Sequence, residues 1–487
     1  MRLGAWSGIL VAFLIPGTIK AQPTIAFTNV SVVDVEKGAL QLDQTVLIEG
    51  SRVIAAGNAR MIRLPRGAHV INGKGKFLMP GLWDMHVHAM PRPHVPELFI
   101  ANGVTGIRDM YDDPPKIRDL RRAIQEHRRI GPRIITSGQI LNGAFVKNRE
   151  HEPLTIVRTP EDARRAVRQQ IRDGVDFIKV YNDLSRSVFY AIADECKRDG
   201  IPFVGHTPDS VTTVEAAAAG QRSIEHLSGV LLDCSRHPTL IRWLPDLSSS
   251  HNTQKRMLDW FDPVRADRLF AAFVRYGTWQ CPTLSIYQDM VFADNPSLAN
   301  NRTDPNLRWL RLPALPQREK LSELERDRAM QQEMMAVTTM MFRAGVRLLA
   351  GTDTGYPFFV PGFALHDEIE LMVSAGLPVS AVLRIATLAP AQFFGREDEL
   401  GSVSKGKQAD LVLLDADPLQ SIRNTRLIRA VVADGRLYDR AALDGLLRDT
   451  GSSALRGGNA PGASPHCSNV MTNISMFRRS GVRTMPN

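Results

Sequence analysis

Through the middle of the chain, short apolar runs alternate with longer stretches of helical periodicity. Runs at 81–88, 104–110, 133–141, 177–181, 202–206, 223–227, 278–284 and 346–353 have the length and composition of buried strands. Amphipathic stretches at 160–172, 187–198, 213–219, 263–276 and 318–344 separate several of them, and helical stretches at 363–375 and 380–395 follow the last. Thr159 followed by Pro160 is a helix start, a capping hydroxyl ahead of a residue that needs no amide donor in the first turn. This order predicts an α/β fold with a parallel sheet closed as a (β/α)8 TIM barrel. Such a barrel takes about 250 residues, so a chain of 487 carries a surplus.

The surplus has a different pattern. Alternating positions broken by turn residues mark 24–73 and 401–438, as in Val30-Ser31-Val32-Val33-Asp34 and Asp410-Leu411-Val412-Leu413-Leu414. Each half is too small to bury a core alone. The two ends are therefore expected to pair into one small β-sandwich, giving sandwich residues 24–75, barrel residues 76–398 and sandwich residues 399–445. The stretch 230–316, with its prolines and asparagines, reads as barrel connections enlarged into lid loops. Residues 451–487 are rich in Gly, Ser, Ala and Pro and are expected to form a disordered tail. At the other end, Met1-Arg2, an apolar stretch over 8–15, Pro16-Gly17 and Ile19-Lys20-Ala21 read as a secretory signal peptide spanning 1–21. Its apolar stretch is too short to span a bilayer. An exported protein, periplasmic or secreted and without stable membrane insertion, is expected.

Composition narrows the partners. A content of 44% hydrophobic and 23% charged residues suits a globular protein with a large core. The formal charge of +9 falls to +7 once Arg2 and Lys20 leave with the leader. Arginines at 121–129 and 164–172 alternate with Ala, Ile and Val at helical spacing, as solvated helix faces do, and no nucleic-acid motif accompanies them. The partner expected is a small-molecule substrate; self-association into a homo-oligomer stays open. Cys196, Cys234, Cys281 and Cys467 are scattered without CxxC spacing, so neither a zinc knuckle nor a disulfide framework is indicated.

Candidate chemistry gathers at the strand ends. His86 and His88 lie two apart, and alternate residues of a strand share a face, so both imidazoles aim at one point. Lys179 in Ile178-Lys179-Val180-Tyr181, His206 in Gly205-His206, His226 in Glu225-His226-Leu227 and Asp353 in Gly351-Thr352-Asp353 each stand at the end of an apolar run. Singly, each fits a satisfied core histidine, a snorkelling lysine or a turn-capping aspartate. Together they suggest one shared metal site on the face where barrel active sites assemble. Tyr181 shares a face with Lys179 and could bind a substrate carbonyl or carboxylate. Arg149, His151 and His366 are further pocket candidates, and Glu225, preceding a ligand, is expected by alternation to point away.

These motifs resemble the amidohydrolase superfamily. The opening Pro80-Gly81-Leu82-Trp83-Asp84-Met85-His86-Val87-His88, Ile178-Lys179-Val180-Tyr181, Gly205-His206, Glu225-His226-Leu227, Gly351-Thr352-Asp353 and the split sandwich occur in that family's order across residues 24–445. The sequence is most similar to the imidazolonepropionase-related and prolidase-like group, including Ala386-Thr387-Leu388-Ala389-Pro390-Ala391 and the Gly401–Leu411 stretch. The resemblance implies two divalent ions, with Zn²⁺ the default for histidine-rich ligands. His86, His88 and Asp353 would hold one, and His206 and His226 the other. Lys179 would bridge both as a carbamate, since an ammonium has no acceptor lone pair. A metal-bridging hydroxide would attack the substrate carbonyl, and Asp353, the catalytic residue, would carry the proton to the leaving nitrogen. The activity expected is hydrolysis of amide bonds, in small peptides or N-acyl amino acids. The alternatives are a lactonase or organophosphate esterase, a mononuclear imidazolone-type ring hydrolase or deaminase, and a metal-binding scaffold without catalysis.

Overall fold

The computed structural model describes residues 24–88, 94–143, 154–242, 257–286, 321–355 and 360–456. The proposed leader, Arg149, His151 and the stretches 243–256 and 287–316 of the expected lid loops lie outside them.

The alternating ends of the chain share one eight-stranded sheet. Its strands are β1 (Ile25–Asp34), β2 (Ala39–Glu49), β3 (Arg52–Asn58), β4 (His69–Asn72), β5 (Phe77–Pro80), β15 (Leu411–Leu414), β16 (Ile428–Ala433) and β17 (Arg436–Asp439). The ladder runs β17-β16-β15-β5-β1-β2-β3, with β4 also on β1. The joint between the two halves is β5, parallel to β1 and antiparallel to β15 in the register Leu411↔Pro80 to Leu414↔Phe77. Period-two burial then does the rest. Phe27, Val30, Val46, Leu78, Leu411, Leu413 and Val432 form a core of their own, while Val33, Met79, Val412, Leu414 and Val431 pack into the main core.

The central strands are parallel and short. One sheet holds β6 (Leu82–Val87), β7 (Val104–Asp109) and β8 (Arg133–Thr136). A second runs β10-β9-β11-β12-β13-β14, from β9 (Ile140–Asn142), β10 (Leu154–Ile156), β11 (Ile178–Val180), β12 (Phe203–Gly205), β13 (Ser223–Glu225) and β14 (Trp279–Cys281). Where a single strand was expected over 133–141, Gly138 at φ +66° breaks the chain into β8 and β9. Hydrogen bonds from Asp176 N to Thr136 O (2.8 Å) and from Asp112 N to Gly138 O (2.9 Å) tie the break to its neighbours. The run expected as an eighth strand, 346–353, makes two isolated parallel bridges instead of a ladder, Leu348 to Gln280 of β14 and Thr354 to Val87 of β6. It thereby joins the two parallel sheets.

Helices between these strands follow their sequence patterns. Pro160–Arg172 begins with a capping box in which Thr159 and Asp162 exchange bonds with each other's backbone amides. The expected helix 380–395 is two, Val379–Ile385 and Leu388–Phe394, because Thr387 leaves helical geometry at φ −132° and Pro390 suits only a first turn. Phe99, Phe189 and Phe270, each carried by a helix and fully buried, contribute about 1.5–3 kcal/mol apiece relative to exposure. After β17, helix Arg440–Arg456 buries Leu443 and Leu447 and runs on over 451–456 of the expected tail. Residues 457–487 lie outside the described part. No helix among the described residues is long and apolar enough to cross a membrane.

Candidate metal centre

The C-terminal ends of β6, β11, β12 and β13 and the 346–354 segment converge. Period-two alternation carries His86 and His88 to one face, with ring centroids 5.1 Å apart. Asp353 reaches them because its backbone turns left-handed, at φ +59°, and its amide donates to His86 O (2.7 Å). Its Oδ1 lies 2.7 Å from His88 Nε2 and 3.3 Å from His86 Nε2. His226 brings its ring to 4.4 Å from His86 and 5.0 Å from His206, centroid to centroid. Ligand atoms of His86, His226 and Asp353 all fall within 4.8 Å of one another.

Protonation in this cluster favours cation binding. Burial, with Lys179 and His226 nearby, holds His86 well below the ordinary imidazole range, and burial pushes His226 down to about 4. Both are neutral near pH 7, the form with a free ring lone pair. Burial alone would raise Asp353, but its neighbours, among them the hydrogen bond from His88 and the Lys179 ammonium, together lower it below the ordinary carboxylate range. His86 Nε2, buried 3.3 Å from Asp353 Oδ1, has no hydrogen-bond partner among the described residues. Orphaned buried lone pairs are costly unless something shares them. A set of neutral imidazoles and one carboxylate with such atoms turned together fits a divalent ion.

Lys179 sits in β11 at 1% exposure, and burial pushes its ammonium down to about 8 against the pull of Glu225 and Asp353. Its stem passes over Gly205 of β12. A Cβ there would stand 2.2 Å from Val180 O and 3.1 Å from Lys179 Cδ, at φ +132°. Gly205→Ala is therefore expected to destabilise the fold by about 1–3 kcal/mol, as a forced backbone shift does, and to displace the lysine. Chemical unfolding alongside metal content checks this; wild-type values in both would mean that the strand end relaxes freely.

The remaining expected residues divide. His206 follows β12, its Nδ1 2.5 Å from Asn182 Oδ1, and His226 Nδ1 lies 2.7 Å from Thr283 Oγ1. Tyr181 stacks on His206 at 4.1 Å between centroids, so it flanks the cluster. His366 does not join it. Buried on helix Phe363–Ser374, its ring is held between Thr425 Oγ1 (2.9 Å) and Asn102 O (3.0 Å), a structural tie to the 3-10 segment Ile422–Arg426.

Glu225 corrects the alternation argument. It points inward with its neighbour, because β13 ends at Glu225, and His226 and Leu227 adopt φ +57° and +51°, where strand alternation no longer holds. Its Oε2 lies 2.9 Å from His86 Nδ1. Arg108, fully buried, donates to Met85 O (2.6 Å), Ser223 Oγ (2.9 Å) and Glu225 Oε2 (2.7 Å). A lone cation inside the buried run Val104–Asp109 is the mark by which sequence could have singled it out. Asp84, which burial pushes up to about 8, accepts from Thr352 Oγ1 (2.7 Å) and pins the Asp353 turn to β6. Tyr111 packs on His88 at 4.2 Å between centroids, as Tyr181 does on His206.

Comparison with known proteins agrees with this picture. The model of a family described as "Amidohydrolase family" matches residues 77–438. An ochratoxinase from Aspergillus niger is 21% identical over 425 residues, covering 74% of this chain and 75% of that protein. Among solved structures, a bottromycin amidohydrolase superposes with a TM-score of 0.70 at 26% identity, covering 91% of this chain and 92% of that one. A Xaa-Pro dipeptidase with bound methionine superposes at 0.63 and 19% identity, covering 85% and 100%.

Proposed function

This chain belongs to the amidohydrolase family and is a hydrolase of carbon–nitrogen bonds in a small-molecule substrate, and from that premise we propose that it is an exported, metal-dependent hydrolase of amide bonds in small peptides or N-acyl amino acids. The parallel sheets and their junctions are read as a (β/α)8 barrel carrying a β-sandwich. The observation that carries the metal reading is the convergence of His86, His88, His226 and Asp353 around a buried His86 Nε2 that has no hydrogen-bond partner among the described residues.

His86, His88 and Asp353 would hold one divalent ion, His206 and His226 a second, and a carboxylated Lys179 would bridge the pair. Bound divalent ions, Zn²⁺ by default for these ligands, supply Lewis acidity and make water a stronger acid. The chain supplies the rest. Asp353 accepts the proton that the attacking water loses and returns it to the departing nitrogen, which leaves as a neutral amine. Its ionised state and its 2.7 Å approach to His88 suit a carboxylate held in one orientation. Tyr181, flanking His206, is placed to contact the carbonyl or carboxylate of a bound substrate.

The test is metal content of the purified mature protein, followed by turnover of dipeptides, N-acyl amino acids, lactones and phosphotriesters. About two ions per chain, with amide turnover lost on chelation and regained on adding metal, is the expected result. One ion per chain would favour the mononuclear ring hydrolases, ester turnover alone the lactonase or phosphotriesterase class, and no metal a different chemistry altogether.

A further inference from the structure

We propose that Arg108 and Glu225 are positioning residues for the metal centre, Glu225 holding the Nδ1 proton of His86 so that Nε2 faces the ligand cluster, and Arg108 holding Glu225. The inference rests on the metal-dependent reading above. It begins from a difference among the imidazoles. The Nδ1 partner of His206 is an amide oxygen, that of His226 a hydroxyl, and that of His86 a carboxylate. A carboxylate on the far nitrogen both fixes the tautomer and makes the near nitrogen a stronger donor.

The carboxylate is itself immobilised. Glu225 is fully buried, with Oε2 shared by His86 and Arg108 and Oε1 accepting from Ser223 Oγ at 2.5 Å. Arg108 reaches across from β7, binding Ser223, Glu225 and the Met85 carbonyl next to His86 in the chain. Its guanidinium also lies against the Phe177 and Phe393 rings, at 5.9 and 5.1 Å from their centroids. Stability alone is a poor reason for this arrangement, because a buried ion pair replaced by apolar side chains is often neutral or stabilising. Orientation of a ligand is a better one. Ligand atoms of His86, Glu225 and Cys281 also lie within reach of a single ion, but a cation on Glu225 would have to compete with the guanidinium already there.

The experiment compares Arg108→Met, Glu225→Leu and the double variant with wild type, reading thermal stability of metal-free protein and Zn²⁺ affinity by competition with a chromophoric chelator. Each single variant leaves a buried charge unpaired and is expected to lose stability. The double variant removes both charges and should regain it, yet bind Zn²⁺ about 10–100-fold more weakly than wild type. Regained stability with wild-type affinity would overturn the proposal. Should the double variant fail to fold, Ser223→Ala, which removes one anchor of both residues, is expected to weaken Zn²⁺ in the same direction, and unchanged affinity there would overturn it equally. Wild-type protein that takes up no metal would instead overturn the metal-dependent reading on which this rests.

Discussion

Lys179→Ala is expected to yield a folded protein that retains little metal and little activity, both partly restored by short carboxylic acids and not by neutral analogues of the same size. The reasoning starts from burial. At 1% exposure, between Ile178 and Val180, an ammonium is an expensive side chain, and removing it takes away a desolvated charge and leaves the strand backbone intact. What is lost is reach. Lys179 carries a nucleophilic nitrogen across Gly205 into the histidine cluster, and as a carbamate it would present two anionic oxygens there. A small acid diffusing into the vacated channel supplies the same two oxygens. Metal analysis with and without added acid, beside amide turnover, makes the measurement. Full activity in Lys179→Ala would sink the carbamate.

Asp353→Asn is expected to keep the fold and lower turnover about a hundredfold or more, the scale on which a positioned proton carrier acts. Asparagine matches aspartate in shape, and the backbone at φ +59° is a conformation that asparagine tolerates better than most residues. The amide oxygen can still face His88. The proton cannot be taken up, because an amide is not a base near neutral pH. Turnover measured at saturating metal, with circular dichroism to confirm the fold, separates the two effects. Undiminished turnover would remove Asp353 from its assigned role.

Much of the candidate site was legible because strand geometry repeats. The spacing of His86 and His88 needs only period two, and His206 and His226 end short apolar runs that could be little else than buried strands. The pairing of the two chain ends followed from the size of each half. Where legibility failed, a single backbone angle decided the outcome. Glu225 faces His86 because the chain leaves the strand at His226, and nothing in Ile224-Glu225-His226-Leu227 announces a left-handed turn. Gly138, which splits one expected strand into two, is a glycine among many, and only its neighbours on both sides show what it separates. His366 carried the right chemistry, but its ring is tied up by Thr425 and Asn102. Arg108 was missed for the opposite reason: its strand was recognised, but its partners lie 115 and 117 residues away.

The sheet shared by the chain ends sets a schedule for synthesis. β5 meets β1 within the first eighty residues but gains its other neighbour, β15, only when residues 411–414 have emerged. Until then the ribosome holds a chain whose early strands expose an unpaired flank. The pairing of β5 is thus completed only after every proposed ligand-bearing segment has been made. A chain truncated just before β15 would hold every proposed ligand and still leave one flank of β5 unpaired.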